Sequence, residues 1–408
     1  MLAVLGTSVT AASAAQAAPA RAGAQHSVDY RRACAVNRTP GMAFCMAFIR
    51  TNVKQRSQAS LGGRGFAPVG DGFGPSSLQS AYNLPSGTAG AGQSVAVVDS
   101  YNDPNAVSDV ATYRSSWGLP ACNTTTKAGC LTVTNQNGAA SPLPTDSGST
   151  GWATEESLDV DMVSAICPKC HIYLVEANSP SIANLGTSVK SAVSKLHVAY
   201  VSNSYGGSQS AQEPTWDTKY YQQAGNAIVA SAGDGGFGVS YPAASQFVTA
   251  VGGTSLVQTG SGRGWSETVW GSSAGGEGTG GGCSTKSEAR PSWQKFTFTK
   301  CSHRLDNDVS AVADPNTGVA IYDTYDQGGW LEVGGTSVSS PIIASVFALA
   351  NNNAAGTYPT SDIYAHTGDL FDVTSGSNGS CTKPVWCNAG PGYDGPTGWG
   401  TPNGLGAF

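Results

Sequence analysis

"CHIYLVEANSPSIANLGTSVKSAVSKLHVAYVSNSYG", Cys170 to Gly206, decides the fold. "HIYLVEA" reads as a strand, "ANLGTSVKSAVSKL" repeats its apolar residues at helical spacing, and "VAYVSNSYG" reads as a second strand. Strands separated by a helix run parallel, because a tight hairpin cannot hold one between them. The same alternation extends outward. Upstream stand the strand "QSVAVVDS" (93–100) and the helical "LDVDMVSAI" (158–166); downstream, "YYQQAGNAIVASAGDGG" (220–236) reads as helix then strand, and "VTAVGGTSL" (248–256) adds another strand. The pattern predicts an α/β fold, a doubly wound, mainly parallel sheet with helices on both faces. Such sheets gather reactive groups at the carboxyl ends of their strands, where Asp99, the Asn203–Gly206 turn and Asp234 fall.

The chain has 408 residues, a net charge of -6, 40% hydrophobic residues and only 12% charged ones. A chain this long buries a large core easily. The acidic balance offers no surface for tracking a phosphate backbone, so no nucleic-acid partner is expected. No later segment approaches the ~20 apolar residues of a membrane span. The first 22 residues, apolar and then marked by Ala-x-Ala ending at Ala17 and Ala22, read as an export signal, although no Lys or Arg precedes the apolar stretch. Residues 23–71 read as a pro-segment or N-terminal extension, and 72–408 as one large domain.

Ten cysteines fall into five sequential neighbours, Cys34 with Cys45, Cys122 with Cys130, Cys167 with Cys170, Cys283 with Cys301 and Cys381 with Cys387. Even numbers in local pairs fit disulfide loops of an exported protein. "CPKCH" at 167–171 has the spacing of a haem attachment site, but His171 opens a strand rather than a helix that could carry it over a haem, and a structural disulfide is the expectation.

"VGGTSVSSPIIASVFALA" (333–350) reads as a Gly-Gly turn feeding a long apolar helix, with Ser337 in its first turn. A serine there either caps the helix or is a nucleophile whose own N–H and helix dipole meet a developing oxyanion. A hydroxyl nucleophile needs a base. None of the five histidines (His26, His171, His197, His303, His366) lies in a Gly-rich helix-start context. The helix after the "VAVVD" strand instead carries acids, "EESLDVD" (155–161). Glu155 and Asp159, four apart, share a face, whereas Glu156 and Asp161 point elsewhere and read as solvent-facing, capping or supporting acids. Two close carboxyls that share a proton at acid pH make a usable base. The alternative is that both acids merely answer the helix dipole, and that Asp234 merely forms the "GDGG" turn.

Taken together, Ser337 in "GGTSVSSP", Glu155 and Asp159 in "EESLD", and Asp234 in "SAGDGG" resemble, in order, the motifs of the sedolisins. These serine-carboxyl peptidases are relatives of subtilisin with Glu in place of the triad His. The resemblance runs from about residue 72 to the C-terminus. It implies a subtilisin-like fold and an endopeptidase acting on proteins or peptides in acid surroundings, secreted and monomeric. In it, Ser337 attacks, Glu155 takes the proton, Asp159 couples to Glu155, and a protonated Asp234 sits in the oxyanion hole. Asp99 is expected to extend the carboxylate network, with Tyr205 beside it. "FDVTSG" and "AGPGYDGPTGWGTPNG" resemble the family's calcium region, implying one structural Ca2+ held by the Asp372 and Asp394 side chains and the Val373, Gly390 and Gly392 carbonyls. Two features depart from the family: its long folded pro-domain has no counterpart here, and the serine motif reads Gly-Gly-Thr-Ser where Ser-Gly-Thr-Ser is commoner. The rival readings are a His-based subtilisin-like protease using Asp99 and Ser337, and a calcium-stabilised secreted binding domain without turnover.

Overall fold

A computed structural model describes residues 29–52, 72–121, 130–284, 288–352 and 356–408. The export signal read at residues 1–22 and Cys122 lie outside them. In chain order the strands are β1 (Tyr30–Arg32), β2 (Phe44–Cys45), β3 (Phe48–Arg50), β4 (Ser94–Ser100), β5 (Leu131–Asn135), β6 (His171–Ala177), β7 (Tyr200–Asn203), β8 (Tyr205–Gly206), β9 (Ala227–Ser231), β10 (Thr249–Gln258), β11 (Trp265–Val269), β12 (Gly282–Cys283), β13 (Leu305–Asp306), β14 (Val309–Val312), β15 (Val319–Asp323), β16 (Gly329–Gly334), β17 (Leu370–Phe371) and β18 (Thr401–Pro402). The helices are α1 (Pro75–Ala81), α2 (Ala106–Ser116), α3 (Trp152–Ile166), α4 (Ile182–Ser194), α5 (Glu213–Trp216), α6 (Thr336–Ala350) and α7 (Thr360–Ala365).

The central sheet has the order β11-β10-β9-β7-β4-β6-β5, with β14 also on β10. All its pairings are parallel except the β10–β11 hairpin. β4 lies inside the sheet between β7 and β6, and alternation along it sorts the two layers. Val95 and Val97 face the core under α1, α2, α3 and α6, while Ala96 and Val98 face the core under α4. The doubly wound reading of the sequence is what the chain forms. Of the five cysteine pairs, Cys34–Cys45, Cys167–Cys170, Cys283–Cys301 and Cys381–Cys387 are disulfides. The 167–170 bridge uses the two thiols that haem attachment would need.

The N-terminal stretch does not hang off this body. β3 pairs antiparallel with β16 and with β1, and β2 pairs antiparallel with β8 at the carboxyl end of β7. Residues 29–52 are therefore threaded across the face on which the sheet gathers its acids.

Candidate active site

α6 begins at the end of β16. Gly335, at φ 105°, turns the chain from strand into helix, so Ser337 stands in the first turn with its N–H outward. Gly335 cannot carry a Cβ. That atom would lie 2.2 Å from the Met46 carbonyl oxygen and 2.8 Å from Asp234 Oδ2, so both oxygens are drawn to one spot beside the Ser337 N–H. The Ser337 N–H donates to the Met46 carbonyl at 3.0 Å. The Ser337 hydroxyl donates to the Ser204 carbonyl at 3.0 Å and accepts from the Met46 N–H at 3.0 Å.

Pro341 sits past the first turn and removes the N–H that would bond the Ser337 carbonyl. The Ser204 hydroxyl fills that gap, donating to the Ser337 carbonyl at 3.3 Å. Ser231 donates to the Thr336 carbonyl at 2.9 Å from the adjacent strand β9. The start of α6 is thus pinned by two serines of the sheet.

Asp234 follows β9. Its Oδ1 accepts from the Thr336 N–H and hydroxyl, both at 2.8 Å, while Oδ2 has no protein partner and points to the Gly335 corner. Burial lifts its carboxyl to about 7, against the two Thr336 bonds and the Arg32 charge. Arg32, from β1, also donates to the Asp234 backbone carbonyl at 3.2 Å.

α3 supplies the acids. All fifteen of its residues are buried, since it is packed among α1, α2, α6 and β15. Burial holds Glu155 well above the ordinary carboxyl range; Asp99 and Asp234 add to this, and the nearby Ser337 hydroxyl opposes it. Asp159 is held up in the same way by burial, Asp99 and Glu155, with Ser204 opposing. Asp99, at the end of β4, is raised to about 8 by burial alone. Glu155, Asp159, Asp99, Asp234 and Ser337 therefore lie within one buried region. Tyr205 is close enough for the Asp99 charge to act on it, and its hydroxyl donates to Asn203 at 2.8 Å.

Of the roles read for Glu156 and Asp161, the solvent-facing one falls, because neither reaches solvent. Glu156 joins Glu176, Asp99 and Asp103 in a second tier of carboxyls, and burial raises Glu176 to about 9 and Asp103 to about 7. Asp161 accepts from the Tyr322 N–H at 2.9 Å. Helical spacing divides the four acids by direction, but a helix covered on every side leaves no outward direction.

Among the described residues, no histidine bonds to the Ser337 hydroxyl. His171 meets the Thr132 hydroxyl at 2.9 Å, His366 its own helix at the Asp362 carbonyl (3.1 Å), and His303 pairs with Ala289. His197 lies in the turn ahead of β7 at φ 56°, and His26 is outside the described residues. Beside the site runs a cleft of about 210 Å³, lined by Arg32, Phe44, Met46, Ala232, Ser240 and Gly280 among others.

The chain matches the model of the Subtilase family over residues 90–369. It belongs to that family. Among its relatives are sedolisin from Pseudomonas sp. (strain 101), 29% identical over 86% of this chain, and kumamolisin from Bacillus sp. (strain MN-32), also 29% identical over 86%. The chain spans 62% and 66% of the length of these two relatives. The solved structure of Pseudomonas sedolisin, a serine-carboxyl proteinase complexed with two molecules of pseudo-iodotyrostatin, superposes with a TM-score of 0.69 at 26% identity, covering 81% of this chain and 95% of that one. Within the subtilases, the chain is thus similar to sedolisin and kumamolisin.

Away from the Ser337 site, the C-terminal region brings together Asp372, Asp394, Gly390 and Gly392 of the five predicted calcium residues. Asp372 accepts from the Gly392 N–H at 2.8 Å, and Asp394 from the Gly390 N–H at 3.0 Å. Burial raises Asp394 to about 7, and the Asp372 charge adds to it with no cationic side chain opposing. Two neighbouring carboxyls without a counter-ion, plus glycine carbonyls free to turn, fit a hard cation. Among the described residues no three His, Cys, Asp or Glu side chains converge as a metal cluster, so carbonyls must complete this set.

Sequence reasoning missed Ser204, Arg32 and Met46. "SNSYG" carried a signal for Ser204 only as a strand end; Arg32 and Met46 reach the site by a path that no local pattern encodes.

Proposed function

We propose that this subtilase is an exported endopeptidase that hydrolyses peptide bonds of proteins in acid surroundings, with Ser337 as nucleophile, Glu155 as base, Asp159 as its partner and Asp234 in the oxyanion hole. One observation carries the reading: the Ser337 N–H bonds a peptide carbonyl at the Gly335 corner, to which Asp234 Oδ2 also points, while Glu155 and Asp159 are buried close to the hydroxyl.

The Ser337 oxygen attacks the scissile carbonyl carbon as its proton passes to Glu155. The oxyanion takes hydrogen bonds from the Ser337 N–H and from Asp234, which must carry its proton to donate. Glu155 returns its proton to the departing amine, leaving an ester on Ser337 that water, deprotonated by Glu155, hydrolyses. Asp159 and Asp99 accommodate the charge, since the three carboxyls give up protons as a unit. One structural Ca2+ at Asp372, Asp394 and the Val373, Gly390 and Gly392 carbonyls would draw two loops together and neutralise the two carboxylates. The sedolisin relatives support this reading.

The test is digestion of a denatured protein by wild type and Ser337→Ala between pH 3 and 9. Cleavage strongest on the acid side of neutral and abolished by the substitution is expected. A wild type inert at every pH would favour the non-catalytic binding domain.

A further inference from the structure

Asn307 follows β13, is fully buried, and bonds in two directions. Its main chain belongs with the loop that carries Asp394. The Asn307 N–H donates to the Gly395 carbonyl at 2.9 Å, and the Asn307 carbonyl accepts from the Tyr393 hydroxyl at 2.8 Å. Its side chain reaches from that loop to the cleft. The amide nitrogen lies 2.9 Å from the Pro396 carbonyl oxygen and 3.1 Å from those of Gly395 and Gly280. Only the nitrogen end of an amide can meet three carbonyls, so its orientation is fixed. Glycines make room for it. A Cβ on Gly252 would lie 2.6 Å from Asn307 Nδ2, and one on Gly281 would lie 2.8 Å from Nδ2 and 2.5 Å from the Gly395 carbonyl oxygen.

Gly280, the far acceptor, lines the cleft together with Asp234. The Gly280 N–H donates to the Gly233 carbonyl at 2.6 Å, the Gly278 N–H to the Asp234 carbonyl at 3.4 Å, and the Gly236 N–H to the Gly278 carbonyl at 2.9 Å. Residues 278–280 thus run edge to edge with 233–236. A Cβ on Gly280 would run into the Ala232 carbonyl, so the two segments are in backbone contact. At the other end Asp394 closes its own turn, accepting from the Thr397 N–H at 2.9 Å and hydroxyl at 2.8 Å. From Asp394 to Asp234 the path runs through Gly395, the Asn307 amide, Gly280 and Gly233, each step a hydrogen bond or a peptide unit.

We propose that Asn307 is a positioning residue for the oxyanion side of the cleft: through its amide, a cation held at Asp372 and Asp394 fixes residues 278–280 and, with them, Asp234. The inference rests on the peptidase reading above and on the Ca2+ included in it. Without the cation the two carboxylates repel each other, Gly395 and Pro396 shift with the loop, and the Asn307 amide follows them away from Gly280. The cation would then act on kcat, by placing an oxyanion donor, as well as on stability. With the Asn307 amide removed, the loop still takes the cation but the cleft no longer responds.

The experiment is hydrogen exchange of the full chain, read by mass spectrometry, with Ca2+ or with a chelator, for Ser337→Ala alone and combined with Asn307→Ala. Ser337→Ala keeps catalysis out of the readout. In it, Ca2+ is expected to slow exchange at least about 5-fold in residues 390–398 and also in 232–238 and 278–282. With Asn307→Ala added, the slowing stays at 390–398 and vanishes from the two cleft segments. Gly281→Ala, whose Cβ presses on the same amide, replaces Asn307→Ala if that variant does not fold, and the same pattern is expected of it. In parallel, kcat and KM are measured on one peptide. Ca2+ should raise kcat of the processed wild type at least about 5-fold while KM changes less than about 2-fold, and should change neither in Asn307→Ala. Cleft slowing that survives Asn307→Ala, or slowing confined to 390–398 in Ser337→Ala, would overturn the inference and leave the peptidase reading standing. Exchange that ignores Ca2+ everywhere would overturn it as well. The expected exchange pattern in a protein that cleaves nothing would overturn the peptidase reading and leave the coupling through Asn307 intact.

Discussion

Asp234 shows how one residue sets the direction of a pH profile. Its carboxyl is lifted to about 7 chiefly by burial, so it keeps its proton through the acid range and loses it near neutrality. Once ionised it would repel the tetrahedral oxyanion, so kcat/KM is expected to fall above about pH 7. Asp234→Asn keeps an acceptor for Thr336 and donates without titrating. Measured against wild type, its profile should extend to higher pH; an unchanged alkaline limb would remove Asp234 from the oxyanion hole. Gly335→Ala tests the same corner by sterics. A Cβ there displaces the carbonyl, and a drop in kcat/KM of at least about 100-fold is expected with the fold retained, read by activity beside far-UV circular dichroism. At this scale the sequence was informative where chemistry is local: Glu155 and Asp159 pair because four residues make about one helical turn. It was silent on Arg32, which reaches Asp234 across 202 residues of chain, and on Met46, which meets Ser337 across 291.

Among elements, α6 carries a defect that the sheet repairs. Pro341 leaves the Ser337 carbonyl without its helical donor, and Ser204 replaces it from the end of β7. Ser204→Ala leaves a buried acceptor unpaired, which costs about 1–3 kcal/mol. The thermal midpoint should drop by several degrees and catalysis should suffer too, because the helix start carries the proposed nucleophile. No drop in the midpoint would mean that the carbonyl finds another donor. α3 explains both a success and a failure of sequence reading. Its apolar period and acid spacing were legible, yet its complete burial was not, because α1, α2, α6 and β15 cover it from four stretches of chain. Glu156 and Asp161, acids that look solvent-facing in isolation, thereby became part of the interior.

Across the whole molecule, these buried acids make stability depend on pH. Asp99 at about 8, Asp103 at about 7 and Glu176 at about 9 bind protons more tightly folded than unfolded. Their contribution is complete below the unfolded carboxyl values, near ~4, and is lost as pH rises through the folded ones. The thermal midpoint should therefore be highest in mild acid and fall progressively between about pH 4 and 9; a midpoint that rises over that window would contradict the buried-carboxyl arrangement. The proposed Ca2+ would act separately. Chelation should lower the midpoint at neutral pH, and Asp394→Asn should remove that sensitivity. A midpoint indifferent to chelator would dismiss the cation. The alternating elements made the doubly wound sheet legible from sequence. The entry of residues 29–50 into the cleft was not, since strand addition at β8 and β16 depends on edges that exist only once the body has folded.

The central claim is that carboxylates, with no histidine, activate Ser337. It is tested most directly by the pH dependence of kcat/KM on one peptide substrate for processed wild type and Glu155→Gln. The account predicts that Glu155→Gln loses at least about 1000-fold at every pH while keeping its near-UV circular dichroism, and that the wild-type optimum lies on the acid side of neutral. Undiminished turnover in Glu155→Gln, or an alkaline optimum abolished by substituting one of the histidines, would contradict it.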